Sequence, residues 1–286
     1  MSRRINVICV AIIGLSILAT LAGLLLNGAI DRELMFVSVR GELIELYGKG
    51  LYGYDSVSVA LQAKAQDFIT LIVGVPTLIY SLVNRKTLKG EFLFLGLIAY
   101  FVYTYTSYVF LSNFNQLFFV YVAIVSLSIT ALIIAIGEID YTNIKKYYKE
   151  KTPTRLLGNF QIIVGIMIAF MWIGRIKPYF LGGLPLGLEH YTTLVIQALD
   201  FGLFIPLAIV GGISLKKQTS MGYLLSPMVI TKALMLGISI LAMTINQFIQ
   251  NSYFSALETG IFVIADIIIL TCFILLFKSI KDNNNV

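Results

Sequence analysis

Histidine is nearly missing from this chain, and with it goes most metal and haem chemistry. The one histidine, His190, cannot supply bis-histidine haem ligation or a two-histidine HExxH zinc site. There is no P-loop, CxxC, GxSxG or DxxxD-type prenyl-phosphate motif either. No catalytic residue, metal ion or cofactor is therefore expected from motifs. Cysteine is scarce too, and Cys9 and Cys272 read as small apolar residues without chemistry. The largest deficit is in charge. Only 13% of residues are charged and 58% are hydrophobic, whereas water-facing domains carry about 25% charged residues.

The apolar residues come in runs near twenty long, the length that crosses a hydrocarbon core of roughly 30 Å as helix. They do not alternate as lumen- and lipid-facing residues of a β-barrel do. The expected fold is an all-α polytopic bundle in contact with the lipid bilayer. Its eight spans fall at about 5–29, 67–84, 91–112, 116–137, 158–175, 192–215, 222–249 and 257–277. The first apolar run is longer than a signal-peptide core and is expected to be retained.

The basic residues set the orientation. With the N-terminus in the cytoplasm, fourteen lie inside: Arg3, Arg4, Arg85, Lys86, Lys89, Lys145, Lys146, Lys149, Lys151, Arg155, Lys216, Lys217, Lys278 and Lys281. Six lie outside: Arg32, Arg40, Lys49, Lys64, Arg175 and Lys177. Both termini are thus expected inside. The net charge of +6 reflects this topology and not a nucleic-acid partner.

The whole chain, 1–286, reads as one membrane domain, with a cytoplasmic loop at 138–157 between four-helix halves, 1–137 and 158–286. Asp67, Pro76, a basic turn and Gly90 in the first half are echoed by Asp200, Pro206, a basic turn and Gly222 in the second. The positive-inside rule alone would produce the basic turns, so the echo rests on the acids, prolines and glycines.

The outer segment 31–66 holds Leu43, Ile44, Leu46 and Tyr47 among acids, the composition of a short helix lying on the membrane surface. From Asp55 a helical pattern runs without a break into span two. Along it Gln62, Gln66, Thr70, Thr77, Ser81 and Asn84 form a polar stripe that must face protein or water. In span three, Tyr100 and Tyr103 lie deep enough to need hydrogen-bond partners, while Tyr108 reads as part of an interfacial belt.

Three charges fall within spans. Lys232 is near the midplane of span seven, Asp200 is in span six with Gln197 three residues before it, and Asp266 is in span eight. The face of span seven that bears Lys232 continues through Ser239 and Asn246. An uncompensated charge at that depth costs at least about 2.5–3.5 kcal/mol, so Lys232 is expected to pair with Asp200 or Asp266. Two acids compete for one base, which leaves a carboxylate to carry a proton or bind a cation. Pro206 and Pro227 interrupt the helices that bear Asp200 and Lys232. A static ion pair that fixes helix packing is the alternative.

The stretch "LDFGLFIPLAIVGGISLKKQTSMGYLLSPMVITKALMLGISILAM" (199–243) resembles a segment of a family of uncharacterised multi-pass membrane proteins of prokaryotes. Its Asp, Pro, Gly-Tyr-Leu-Leu-x-Pro run and Lys are here Asp200, Pro206, Gly222 to Pro227 and Lys232. A second stretch, "FLGLIAYFVYTYTSYVFLSNFNQLFFVYVAIVSLS" (94–128), is similar to another shared part. The resemblance implies the eight-helix architecture and brings no activity with it.

Three functions compete. A secondary transporter or ion-conducting protein would use the Asp200, Lys232 and Asp266 cluster with Gln197 and Asn246 to bind a small solute or ion. An accessory or signalling subunit would meet a protein partner through the outer loop 31–66. An intramembrane enzyme would pair Asp200 with Asp266, but lacks the Gly-x-Gly-Asp motif of membrane aspartyl proteases. A retinal-type lysine is disfavoured by Met228, four residues before Lys232, and by the eight spans. The first reading is preferred, in the cell (cytoplasmic) membrane.

Overall fold

The computed structural model describes residues 3–31, 33–250, 252 and 255–282; Arg32, one of the expected outer basic residues, lies outside them. Among the described residues eight helices are long and apolar enough to cross a membrane. They are α1 (Arg3–Leu25), α2 (Val57–Val83), α3 (Leu88–Leu111), α4 (Phe118–Glu138), α5 (Thr154–Phe180), α6 (Val195–Lys216), α7 (Ser220–Ile249) and α8 (Ala256–Ser279). The chain is a multi-pass integral membrane protein of all-α architecture. The end of the bundle that holds both described chain ends is called inner below, following the charge asymmetry.

Helix α3 is the most buried and α8 the least. Accordingly α3 packs against α4 and α7, and α7 also meets α2, α6 and α8. Helix starts follow from capping side chains. Ser56, Thr87 and Ser255 each accept a backbone N–H from the first turn of α2, α3 and α8, satisfying donors that have no partner within the helix. At the inner end, Arg85 donates to both oxygens of Glu91 at 2.8 Å and to Glu138 at 3.0 Å, tying the end of α2 to α3 and α4.

Two spans are not regular. In α2 the residues Thr70–Gly74 form a π-turn, and in α6 so do Asp200–Phe204. Each is followed two residues later by proline, Pro76 and Pro206. Proline lacks the N–H for the preceding turn and its ring presses on the carbonyl four residues back. Widening that turn to π geometry relieves the pressure.

The outer segment departs from the surface helix expected of it. Strands β1 (Met35–Val37) and β2 (Leu43–Glu45) pair antiparallel, with Phe36 opposite Ile44. Gly41, at φ +82°, closes the turn between them, a backbone state that favours glycine. The hairpin is docked by Arg40, which donates to the carbonyls of Glu189 (2.5 Å) and Tyr191 (2.8 Å) just ahead of α6. The loop expected at 175–191 is also shorter, because α5 continues to Phe180 and carries Arg175 and Lys177 on its last turns.

Beneath the hairpin, Asp55 joins the outer ends of three elements. Its Oδ1 accepts from the Asn113 backbone (2.9 Å), the Asn113 side chain (3.0 Å) and the Tyr191 hydroxyl (3.0 Å). Burial pushes the carboxyl up to about 6, against the hydrogen bonds that pull it down. A raised value in the folded state means that this group's contribution to stability is complete below about pH 4 and is lost as pH rises through 6. Asparagine keeps an acceptor oxygen without the charge. Asp55→Asn is therefore expected to match the wild type under acid and to exceed it above pH 7 by roughly 3 kcal/mol. Unfolding in micelles across that pH range tests this, and a wild type that gains on the variant as pH rises would refute it.

Candidate functional site

The π-turn of α6 begins at Asp200 and turns its carboxylate inward. Oδ1 accepts the Tyr103 hydroxyl of α3 at 2.7 Å, and Oδ2 accepts the Trp172 indole N–H of α5 at 2.8 Å. Lys232 reaches the same point from α7, its Nζ 3.9 Å from Asp200 Oδ1. The ammonium group lies 3.5 Å from the centre of the Tyr103 ring and 3.8 Å from that of Phe204. Asp200 and Lys232 are only 6% and 5% exposed. Side chains from α3, α5, α6 and α7 thus converge on one charge pair.

The arrangement is asymmetric. Asp200 has a neutral donor on each oxygen, so part of its lost hydration is replaced. Lys232 has three N–H donors and no hydrogen bond to any of the described residues. Two desolvated cation–π contacts are worth about 2 kcal/mol each, while removing an ammonium from water costs several. The lysine is held by one long ion pair and two ring faces. Such a pair is sensitive to anything that adds a proton, an anion or a water to it.

The other expected site residues are not brought to this pair. Asp266 stands on another side of α7, its Oδ1 pressed against Gly237, where a Cβ would overlap it, and its Oδ2 is buried without a hydrogen bond. Among the described residues Lys232 has one ion-pair partner, Asp200, so Asp266 does not share the lysine. Gln197 is buried one turn before Asp200 and does not bond it. Asn246 is nearer the outer end, where it donates to the Leu61 carbonyl at 2.7 Å and ties α7 to α2.

The polar stripe of α2 divides. Gln66 and Thr70 are buried and both bond the Tyr100 hydroxyl, at 2.5 and 2.9 Å. Gln62 bonds Ser58, while Thr77, Ser81 and Asn84 turn back to their own helix carbonyls. The Thr70–Tyr100 contact matches Asp200–Lys232 in position. Thr70 and Asp200 each open a π-turn, and Tyr100 and Lys232 each lie thirteen residues after the threonine that precedes their helix, Thr87 and Thr219.

Three residues of the site carried no sequence signal that singled them out: Trp172, Phe204 and, as an Asp200 donor, Tyr103. Tyr108 also departs from its expected role in an interfacial belt. It is buried, with its hydroxyl on Asp67 and the Ala63 carbonyl. No protein-family model, curated protein or solved structure matches the chain, so the site is read from its geometry alone.

Proposed function

We propose that the protein is a secondary transporter or ion-conducting protein of the cell (cytoplasmic) membrane, with Asp200–Lys232 as the element that responds to its ion or solute. One observation carries this reading: a buried lysine faces an acid at 3.9 Å and makes no hydrogen bond among the described residues. A pair retained only to fix packing would be expected to close into direct hydrogen bonds, because an unspent buried donor is costly. The π-turn ahead of Pro206 gives α6 a place to flex beside that pair. The reading takes the chain as two four-helix halves, 1–137 and 158–286, on the matching π-turns, prolines and crossing pairs. In it the first half keeps a neutral Thr70–Tyr100 contact where the second keeps charges.

Flux into proteoliposomes tests the proposal, with protons, alkali cations and small organic solutes screened in turn. One of them is expected to move, and Lys232→Met and Asp200→Asn are each expected to abolish that movement. Flux that survives both substitutions would overturn the role given to the pair.

A second reading, an accessory subunit, has an observation of its own. Met35, Val37, Val39 and Leu43 of the outer hairpin are exposed, Val39 at 92%. Apolar side chains grouped at a loop tip suit contact with a partner protein. Photocrosslinking from position 39 in native membranes separates the readings, since a transporter acting alone gives no protein adduct there.

A further inference from the structure

A second buried acid lies on α2, outside the Asp200–Lys232 pair. Asp67 is 2% exposed and has no cationic partner within ion-pair distance among the described residues. Its nearest basic neighbour, Lys64, points away, toward Asn27 Oδ1 at 3.4 Å and the Tyr47 ring. What surrounds Asp67 instead is tyrosine. Tyr52 of the outer segment donates to Oδ2 at 2.6 Å, and Tyr108 of α3 lies 2.9 Å from Oδ1. Tyr105 of α3 and Tyr121 of α4 complete the ring cluster, with Tyr108 and Tyr121 stacked at 5.2 Å. From α1 comes Gly23, where a Cβ would overlap Asp67 Oδ2; neither α1 nor α7 brings an ionisable side chain to the acid.

The hydrogen bonds around Tyr108 fit two protonation states of Asp67 equally well. The Tyr108 hydroxyl has one proton and two acceptors in reach, Asp67 Oδ1 at 2.9 Å and the Ala63 carbonyl at 3.0 Å. With Asp67 charged, Tyr52 and Tyr108 both donate to it. With a proton on Oδ1, the carboxylic acid donates to Tyr108 Oη, and Tyr108 turns its own O–H to the Ala63 carbonyl. Every donor keeps an acceptor in both states, and only hydroxyl hydrogens move. A carboxylate held for packing alone has no use for that spare acceptor.

Water can come close. A cavity of about 90 Å³ at the outer ends of α3 and α4 is lined by Tyr108, Tyr121, Ser112, Asn113 and Asn115 and also by the apolar Val109, Phe114 and Phe118. One water needs about 10–15 Å³ by this measure, so several fit among those polar groups.

We propose that Asp67 is a proton-exchange site loaded from the outer cavity across Tyr108. A hydronium in the cavity gives its proton to Tyr108 Oη as Tyr108 passes its own to Asp67 Oδ1. The hydronium becomes water, the tyrosine hydroxyl is restored and the carboxylate becomes a carboxylic acid; release runs in reverse. The site would give the proposed transporter a proton port on its outer side, and this assignment of purpose rests on that reading. The exchange itself does not, and it is tested without flux.

Infrared difference spectra of the purified protein in lipid, acidic minus alkaline, report the C=O band of a buried carboxylic acid. Asp67→Asn is expected to remove a band that Asp200→Asn leaves in place. Tyr108→Phe is expected to retain it but slow its appearance after a pH jump by roughly tenfold or more, as for a lost proton relay. A band unchanged by Asp67→Asn, or no such band at all, overturns the site. Should Asp67→Asn fail to fold, Tyr108→Phe decides alone, and wild-type kinetics in that variant would refute the path. A protein that passes these tests yet moves no solute keeps the proton site and loses only the transport reading.

Discussion

Removing both charges of the Asp200–Lys232 pair is expected to harm the protein less than removing the acid alone. In Asp200→Asn the ammonium loses its one anionic neighbour and still has no hydrogen-bond acceptor. The new amide keeps one acceptor where Tyr103 and Trp172 both donate; with that oxygen on Trp172, Tyr103 must accept the amide N–H and its own proton loses its acceptor. Breaking a buried pair in this way costs about 3–5 kcal/mol. Lys232→Met is milder, at about 1–3 kcal/mol, because the carboxylate keeps its two donors and methionine fills the lysine's stem volume. The double variant removes the stranded charge and retains only the loss of one acceptor. Its cost should fall at least about 2 kcal/mol short of the sum of the single costs, the signature of groups in contact. Asp266→Asn, by contrast, should add independently to either substitution. Unfolding free energies in mixed micelles across the six variants supply the measurement. Additivity between positions 200 and 232, or coupling between 232 and 266, would show that the pairing is wrong.

The sequence carried the eight spans because each is a long apolar run with polar turns beside it, and lipid permits few other arrangements. It also carried the pair as a class: a lysine at mid-depth requires an acid at its own depth. It did not carry the choice between acids, since Asp200 and Asp266 match Lys232 almost equally in depth. What separates them is the azimuth on α7. Asp266 meets that helix at Gly237, five residues past Lys232 and so about 140° around the axis. Which neighbour lies on which side of α7 is decided by helix packing, and one-dimensional spacing does not encode it. Trp172 is hidden for the same reason, being one of five aromatics on a mostly exposed helix. Tyr108 was misread because depth in span three gives belt and cluster residues the same position. The outer hairpin is not legible because Leu43, Ile44 and Leu46 satisfy a helical face as readily as a strand, and the turn at Gly41 shows itself only in the backbone angle.

A valine at Gly96 is expected to be among the most damaging substitutions in the protein, although no charge or hydrogen bond is touched. Gly96 of α3 faces Thr231 of α7 so closely that any Cβ there would overlap the threonine side chain. Small residues are what allow two helices in lipid to approach to such a distance. Overfilling a packed contact costs about 1–3 kcal/mol even where side chains can yield, and here the branched threonine is 2% exposed and cannot turn away. Gly96→Val should therefore lose about 3 kcal/mol or more. Gly96→Ala should cost less, because alanine recovers about 1 kcal/mol of helix propensity. The consequence for function is sharper than for folding. Thr231 immediately precedes Lys232, and Tyr103 lies two turns along α3 from Gly96, so prising these helices apart draws the lysine away from the ring beside it. Gly96→Ala is thus expected to impair solute movement well beyond its effect on stability. Combining it with Thr231→Gly moves the notch from one helix to the other and should restore both, less the modest cost of glycine within α7. If the exchange restores stability and leaves movement impaired, the α3–α7 spacing is not what positions Lys232.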